Sequence, residues 1–436
     1  MSGPQRSVPD PSLSPRTAGR PDPGAVRLPA GAELVRGAVV LPTGVLADGV
    51  VAVADGVLVW VGPSALLDPD LLPAPPPPGT LVLPGLVDLH CHGGGGASFP
   101  DATTPDEVAT GAHEHLRHGT TSLVASLVTA PPDVLLARTA LLADAVDAGH
   151  LVGVHLEGPF LSAVRCGAQN LHDMLPGDPG LVREVARVAR GHLVTMTVAP
   201  EVPGVADAGE DDVLRALAAC GALPSLGHTD ASAEVTEQAA DRAFDLLATT
   251  ASARSGRPTA THLFNGMRPL HHRDPGPVAA CLAAAAAGRL VVELVADGTH
   301  LAPATVRTVL ELVGADAVVL VTDAMAAAGM PDGDYRLGPL AVRVADGVAR
   351  LLGDDGTAGA IAGGVAHLLD VVRSAVEAGV PLVDAVRSAA TTPATVLGRA
   401  DLGALVAGRR ADVLVTTDAL EPVAVMRAGS WVVGRP

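Results

Sequence analysis

Between about Leu81 and Leu397 the sequence alternates short apolar runs, rich in Val, Leu and Ala, with longer stretches of helical character. This alternation is typical of βα units around a parallel sheet. Stretches such as PDVLLARTALLADAVDAG and PATVRTVLELVG have helical length and begin with Pro. Eight candidate strands can be counted, the number that one (β/α)8 TIM barrel requires. Their predicted carboxyl ends lie near His90, Thr129, Glu157, Pro200, His228, Leu263, Asp297 and Asp323.

The two ends of the chain have a different sequence pattern, which is typical of β-strands. Residues 32–80 contain Val-rich runs punctuated by Gly, a pattern typical of a β-meander, and then the semi-rigid connector PAPPPPG. Residues 398–436 repeat the β-type pattern. We therefore predict a small β-sandwich domain from residues 32–80 and 398–436, with a barrel of residues 81–397 between them. Residues 1–31 are predicted to be a disordered Pro-rich tail, since they cannot bury enough apolar surface.

Composition restricts the partners of the chain. The formal net charge of −18 argues against nucleic acid and anionic membranes, because both attract basic surfaces. No unbroken run reaches the roughly 18 apolar residues that a membrane span needs. The four cysteines show no paired spacing, so we expect no disulfide framework and a cytoplasmic location.

The strongest local signal is PGLVDLHCHG, in which an apolar strand ends in His90 and His92. Residues two apart on a strand point to the same face, so both imidazoles can reach one metal ion. Two histidines without a metal are an equally good explanation of this motif alone. In LVGVHLEGPF, Glu157 closes a second apolar strand, where a carboxylate needs a partner or a metal. We interpret the nearby His155 as a hydrogen-bonded core histidine.

Three further polar residues follow short apolar runs. They are His228 in PSLGHTDA, His262 in THLFNGM and Asp323 in VVLVTDAM. Each alone has a structural explanation, such as capping the next helix. Together with the first two motifs, they place histidines and carboxylates at the carboxyl ends of different strands. This is the face on which barrel enzymes carry their active sites.

Several of these motifs together resemble the N-acetylglucosamine-6-phosphate deacetylases of the amidohydrolase superfamily. The resemblance runs from about Leu34 to Gly434 and is carried by LEGPF, GHTDA, THLFNGM followed by HHRDPG, the DGTH at Asp297–His300, and VTDA. It implies metal-dependent hydrolysis of the acetamide of N-acetylglucosamine-6-phosphate to glucosamine-6-phosphate and acetate. The chain contains no Lys, so a carboxylated lysine cannot bridge two metals. The resemblance places Glu157 at that bridge.

The resemblance also implies residue roles. Glu157, His228 and His262 would hold one divalent ion, Zn or Fe, and His90, His92 and Asp323 a second, giving one or two ions per subunit. Asp323 would act as general base. Arg273, with His300, would bind the phosphate of the sugar, and a homodimer could supply Arg273 across its interface. Arg268, His271 and His272 lie in the same loop and could contribute. The remaining substrate-binding residues would be Ala168, Gln169, Asn265, Gly266, Asp297, Ile361, Ala362 and Gly363.

The sequence departs from the family pattern in three places. Relatives have NAM where this chain has Asn265-Gly266-Met267, and AGS where it has Ala362-Gly363-Gly364. A His that helps to polarise the acetyl carbonyl in relatives is Gln169 here, which can donate a hydrogen bond but carries no charge. We also expect the glycine run Gly93–Gly96 to line the mouth of the site.

Two alternatives remain open at this point. One is another amidohydrolase that acts on a cyclic amide or an N-acyl amino acid, which would share the HxH motif and the terminal Asp. The other is a non-catalytic barrel that serves as a scaffold or binding module.

Overall fold

A computed structural model describes residues 26–207, 211–353 and 356–436. The predicted disordered tail, residues 1–31, therefore lies outside the described residues except for residues 26–31. Within the described ranges, no helix combines the length and the apolarity needed to cross a bilayer. All four cysteines are described, and none forms a disulfide, as expected from their spacing.

Strands and short helices alternate through most of the described chain. The strands are β1 (Glu33–Leu41), β2 (Gly44–Ala54), β3 (Val57–Pro63), β4 (Leu81–Pro84), β5 (Leu86–Cys91), β6 (Gly93–Gly94), β7 (Ala97–Ser98), β8 (Thr120–Leu127), β9 (Gly153–Glu157), β10 (Leu193–Val198), β11 (Leu223–Leu226), β12 (Thr259–Ala260), β13 (Val291–Leu294), β14 (Val318–Leu320), β15 (Gly333–Leu337), β16 (Leu340–Ala345), β17 (Val348–Leu352), β18 (Ala358–Ile361), β19 (Val413–Thr416), β20 (Pro422–Arg427) and β21 (Ser430–Val433). The helices are α1 (Pro105–Arg117), α2 (Pro132–Asp147), α3 (Pro179–Ala189), α4 (Val213–Ala219), α5 (Ala233–Thr249), α6 (Gly276–Ala286), α7 (Pro303–Val313), α8 (Leu368–Glu377), α9 (Leu382–Val386) and α10 (Thr392–Val396).

Eight parallel strands form the central sheet, and the predicted (β/α)8 barrel is confirmed. Their hydrogen-bonded order is β5-β8-β9-β10-β11-β12-β13-β14, which follows the chain. The first and last strands approach each other through a bridge between Cys91 and Ala324. The Asp323 N–H also donates to the His90 carbonyl oxygen at 2.9 Å. Because strands buried on both faces read as continuous apolar runs, the sequence pattern revealed them.

Helix starts follow the local sequence. Helix α1 begins with a capping box, in which the Thr104 hydroxyl accepts from the Glu107 N–H and the Glu107 carboxylate accepts from the Thr104 N–H. Asp178 and Ser232 cap α3 and α5 in a similar way through their side-chain oxygens. Each cap satisfies backbone donors that a helix terminus would otherwise leave unpaired.

Both ends of the chain contribute to a seven-stranded sheet of order β21-β20-β19-β4-β1-β2-β3. Strand β4, which directly precedes the barrel, pairs with β1 on one side and with β19 on the other. Apolar residues from both chain ends share one core, which includes Val39, Val51, Val82, Val413 and Met426. The small β unit predicted from both chain ends is therefore confirmed.

One element was not predicted from the sequence. Strands β15 to β18 form a four-stranded antiparallel sheet between β14 and α8, which we call the insert (residues 333–361). Leu337, Val342 and Ala349 of the insert pack with Val128 and Met325 from the barrel loops. This packing places the insert beside the carboxyl ends of the barrel strands.

Candidate active site

Glu157, the last residue of β9, lies among four imidazoles. Its Oε1 atom is 2.8 Å from Nε2 of His228 and 2.8 Å from Nε2 of His262. Its Oε2 atom is 3.2 Å from Nε2 of His92 and 3.9 Å from Nε2 of His90. All five residues are buried. Both carboxylate oxygens therefore face imidazole nitrogens, one oxygen for each pair.

Asp323 completes the cluster through contacts with His90 and His92. Its Oδ1 atom is 3.4 Å from Nε2 of His90 and 3.2 Å from Nε2 of His92. The two Nε2 atoms are only 3.0 Å apart. The structure thus brings together all six residues that were predicted as metal ligands.

Neighbouring charges shift the pKa values of the residues in this cluster. Burial would raise the pKa of Glu157, but His228, His262 and His92 outweigh it and hold that pKa well below its usual value. Burial likewise opposes ionisation of Asp323, and the neighbouring His90 and His92 lower its pKa despite it. In the other direction, Asp323 and Glu157 overcome burial and raise the pKa of His92 to about 10. The carboxylates are therefore ionised at neutral pH and attract positive charge.

This donor set fits a divalent cation. Two groups of ligand atoms, His90–His92–Glu157 and Glu157–His228–His262, each lie within 4.8 Å of one another and share the glutamate. Two imidazole nitrogens at 3.0 Å cannot both direct protons at each other, whereas both can donate lone pairs to one ion. Mixed imidazole and carboxylate ligands suit Zn or Fe.

The backbone is strained at three of these positions. His228, His262 and Asp323 have φ angles of 47°, 26° and 48°, in a region that non-glycine residues rarely adopt. Each lies just beyond the end of its strand, where the chain turns out of the barrel. Such strain typically persists only where the surrounding structure enforces it, and it is common at functional sites.

Two buried carboxylates that the sequence analysis missed support the ligands. Glu293 in β13 places Oε2 at 3.2 Å from Nδ1 of His90, so this histidine has a carboxylate on each side. Asp88 in β5 accepts hydrogen bonds from the His90 N–H and the Thr322 hydroxyl, and burial raises its pKa to about 7. A carboxylate within an otherwise apolar strand is the sequence signal that could have found both.

Gln169 is hydrogen-bonded at both ends of its amide group. Its Nε2 donates to Oε2 of Glu157 at 2.6 Å, and its Oε1 accepts from the Thr129 N–H at 2.8 Å. Gln169 therefore contacts the central glutamate directly. His155, by contrast, is a core histidine, because Thr195 and Thr197 pair with its two ring nitrogens.

A cavity of about 380 Å³ opens above this cluster. The predicted site residues that line it are His92, Glu157, Ala168, Gln169, His228, His262, Asn265, Gly266, His300, Asp323, Ile361 and Gly363. Four lining residues were not predicted: Gly167, Leu337, Arg350 and Ala360. Three of these four belong to the insert, whose presence the strand count did not reveal.

Other predicted residues lie elsewhere. Ala362 is fully buried and does not line the cavity. The glycine run Gly93–Gly96 does not line it either; Gly95 and Gly96 border a separate depression between α1 and the insert. These glycines belong to the β6–β7 hairpin, in which Gly93 pairs with Ser98 and Gly94 with Ala97.

The predicted phosphate-binding residues are separated in one copy of the chain. His300 lines the cavity, and its Nδ1 atom is 2.8 Å from Oδ2 of Asp297, which does not line the cavity itself. Burial lowers the pKa of His300, but the bond to Asp297 outweighs burial and leaves that pKa above its ordinary value. Arg273 is exposed and does not line the cavity.

The neighbours of Arg273 also lie outside this cavity. Arg268 forms ion pairs with Asp230 and Asp274, and the rings of His271 and His272 contact each other. These side chains therefore have local partners in their own loop or in the adjacent one.

Comparison with known proteins gives a consistent result. Residues 81–432 match the profile of the amidohydrolase family. The N-acetylglucosamine-6-phosphate deacetylase of Lysinibacillus sphaericus is 31% identical over 361 residues, which are 80% of this chain and 85% of that protein. The human enzyme of the same name is 32% identical over 367 residues, 81% of this chain and 84% of its own.

Solved structures resemble the whole architecture. A Mycobacterium smegmatis N-acetyl-D-glucosamine-6-phosphate deacetylase variant, solved in complex with N-acetyl-D-glucosamine-6-phosphate, is 40% identical with a TM-score of 0.82. The match covers 92% of this chain and 99% of that one. The N-acetylglucosamine-6-phosphate deacetylase of Thermotoga maritima is 26% identical with a TM-score of 0.77, over 92% of this chain and 100% of the other.

Proposed function

The chain belongs to the amidohydrolase family, and we propose that its Glu157-centred cluster performs the reaction after which its relatives are named. That reaction is hydrolysis of the acetamide of N-acetylglucosamine-6-phosphate, which yields glucosamine-6-phosphate and acetate. The family and the activity predicted from the sequence are confirmed. One observation carries the assignment of the site: five of the six potential ligands line one cavity together with His300, and the sixth, His90, is buried with its Nε2 atom 3.0 Å from that of His92.

We propose that Glu157, His228 and His262 hold one divalent ion, Zn or Fe. The pair His90 and His92, with Glu157 shared, would hold a second. When bound, such an ion lowers the pKa of the attacking water and polarises the amide carbonyl. The separation of the carboxylate oxygens supports this division, since each faces a different imidazole pair.

Asp323 supplies the proton route in this proposal. As water attacks the acetyl carbon, one Asp323 oxygen accepts the water proton, and the new C–O bond forms. The same carboxyl group then returns that proton to the amide nitrogen while the C–N bond breaks, so that the amine leaves neutral. Its position supports this role, because Asp323 lines the cavity while the Asp88–Thr322 pair fixes the adjacent residue.

The phosphate of the substrate needs cationic donors. His300 is one, with Asp297 orienting it. We propose that Arg273 is supplied by a second copy of the chain in a homodimer, since it makes no ion pair among the described residues and lies outside the cavity of its own copy.

The unpaired cysteines are consistent with a cytoplasmic enzyme.

A substrate comparison tests this assignment. Acetate release is measured with N-acetylglucosamine-6-phosphate and with unphosphorylated N-acetylglucosamine at equal concentrations. We expect kcat/KM to be at least roughly tenfold higher for the phosphorylated sugar, the gain that one charge-assisted contact provides. Equal rates would remove the phosphate role and favour an amidohydrolase with another substrate.

Metal analysis separates an enzyme from a scaffold. We expect purified protein to contain Zn or Fe, and a chelator to abolish acetate release until the metal is restored. Protein that contains no transition metal, and that no added Zn or Fe activates, would favour a non-catalytic barrel.

A further inference from the structure

The insert carries an arginine whose charge is not neutralised by the described residues around it. Arg350 on β17 lies directly opposite Arg343 on β16. Like charges at opposed positions of a sheet repel each other. Arg343 is compensated, because its guanidinium binds both oxygens of Asp334 at 2.7 and 3.0 Å. Arg350 instead donates one hydrogen bond, from Nη1 to the Gly359 carbonyl oxygen at 3.3 Å.

Arg350 is an exposed residue, but its position at the cavity distinguishes it from an ordinary surface arginine. It lines the cavity that holds Glu157 and His300, and it is the one guanidinium among the described lining residues. Its remaining N–H groups make no hydrogen bond to a carboxylate among the described residues. Asp354 and Asp355, which fall between β17 and β18 in the sequence, lie outside the described residues.

An anionic substrate needs such a group here. The chain carries a net charge of −18, so its overall field repels a phosphate monoester. A guanidinium presents paired N–H donors that match two phosphate oxygens. His300 offers one ring nitrogen beyond its bond to Asp297, which is a single donor. Arg273 lies outside the cavity of its own copy, so Arg350 is the guanidinium that the described residues of one copy offer beside His300.

We propose that Arg350 binds the phosphate of the substrate from the same chain that carries the Glu157 cluster, and so determines specificity for the phosphorylated sugar. This inference rests on the proposed function. It makes the insert part of the binding site. It also predicts that phosphate recognition persists in part when Arg273 of a second copy is removed.

The test compares wild type with Arg350→Gln, Arg350→Lys and the matched control Arg343→Gln, all as metal-loaded full chains. Steady-state kcat and KM are measured with N-acetylglucosamine-6-phosphate and with N-acetylglucosamine. Calorimetry measures binding of glucosamine-6-phosphate against glucosamine, so that a second readout does not depend on turnover. Thermal melting verifies that each variant folds.

We expect Arg350→Gln to raise KM for the phosphorylated sugar roughly 10- to 100-fold, with little change in kcat. The unphosphorylated sugar should be unaffected. Arg350→Lys should recover part of the loss, because it keeps the charge but loses the paired donors. Arg343→Gln should leave both KM values unchanged.

Two results would overturn the inference. One is an unchanged KM in Arg350→Gln, and the other is an equal rise for both sugars. Arg350 would have a purely structural role if Arg350→Gln lowered the melting temperature but left the ratio of the two KM values, phosphorylated to unphosphorylated sugar, unchanged. Wild type that does not deacetylate the phosphorylated sugar would instead contradict the proposed function itself.

Discussion

At the scale of single residues, the site depends on Glu157. One carboxylate accepts contacts from His228 and His262 at one oxygen and from His92 and Gln169 at the other. A buried carboxylate is tolerated only when such partners compensate its lost hydration. Its position at the end of an apolar run made it predictable from the sequence. The role of Gln169 was not predictable, because its two partners lie 40 and 12 residues away.

Asp323→Asn tests the general base. Asn keeps the shape of the side chain but cannot take up the water proton, so we expect kcat to fall about 10²- to 10⁴-fold. The metal content should be measured in parallel, to separate lost proton transfer from lost ligation. Asp133→Asn, at an exposed position of α2, is the control and should retain full activity. Activity of Asp323→Asn near that of wild type would exclude Asp323 as the base.

Gln169→Leu tests whether this residue positions Glu157. The substitution removes the donor to Oε2 and leaves the Thr129 N–H without its partner. Because groups that orient a metal ligand tune its affinity, we expect metal affinity to fall roughly 10- to 100-fold. A titration with a competing chelator measures this. Gln238→Leu, exposed on α5, should leave the affinity unchanged. Equal affinities in both variants would refute the positioning role.

The pH dependence of KM tests His300. Its pKa is raised, so its positive charge is fully present below the ordinary histidine pKa and is lost as the pH rises through the raised value. Above about pH 7 the phosphate stays a dianion. We therefore expect KM for the phosphorylated sugar to rise with pH in that alkaline window. His300→Gln should have a higher KM without this rise. A rise of the same size in the variant would assign it to another group.

At the scale of elements, the barrel strands are shorter than their apolar runs. Strands β12, β13 and β14 end at Ala260, Leu294 and Leu320, about three residues before their predicted ends near Leu263, Asp297 and Asp323. The chain leaves the ladder there, and His262 and Asp323 adopt positive φ angles beyond it. Hydrophobic patterning locates a strand, whereas its hydrogen-bonded end depends on its neighbours.

Helices α1 and α8 meet across the seam between the first and last barrel strands. Glu114 of α1 is buried, and its Oε1 atom is 3.0 Å from Nε2 of His367, which caps α8. Glu114 also pairs with Arg117. This contact ties the two ends of the helical layer together.

Glu114→Gln weakens that contact. We expect the free energy of unfolding to fall by about 1–3 kcal/mol, because a buried charge-assisted hydrogen bond is replaced by a neutral one. Denaturant unfolding measures the change. Glu184→Gln, exposed on α3, is the matched control and should change stability by less than about 0.5 kcal/mol. A loss no larger than that of the control would show that the seam contact adds no stability.

At the scale of the whole molecule, Asp412 joins the barrel to the seven-stranded sheet that both chain ends form, here called the terminal sheet. It is buried and accepts hydrogen bonds from Thr121 at the start of β8, from Arg410 and from the Ala428 N–H. Its carbonyl oxygen accepts from the Gly85 N–H, at the entry to β5. The two units are therefore linked at the amino-terminal face of the barrel, opposite the active site.

Asp412→Asn tests this coupling. We expect a loss of about 1–3 kcal/mol in unfolding free energy. Both tryptophans, Trp60 and Trp431, lie in the terminal sheet, so their fluorescence follows that unit, while far-UV circular dichroism follows the barrel helices. The two transitions should coincide in wild type and separate in the variant. Asp245→Asn, exposed on α5, should behave as wild type. Coincident, unshifted transitions in Asp412→Asn would contradict the coupling.

The sequence by itself determined the barrel, the small β unit from both chain ends and the six residues of the Glu157 cluster. Local patterning was sufficient there, because buried parallel strands are continuous apolar runs and their carboxyl ends meet at one face. Only the tertiary structure revealed Glu293 and Asp88 behind the ligands, the contact of Gln169 with Glu157, and the insert that brings Arg350 into the cavity. Each depends on contacts between residues distant in the chain, which no local pattern records.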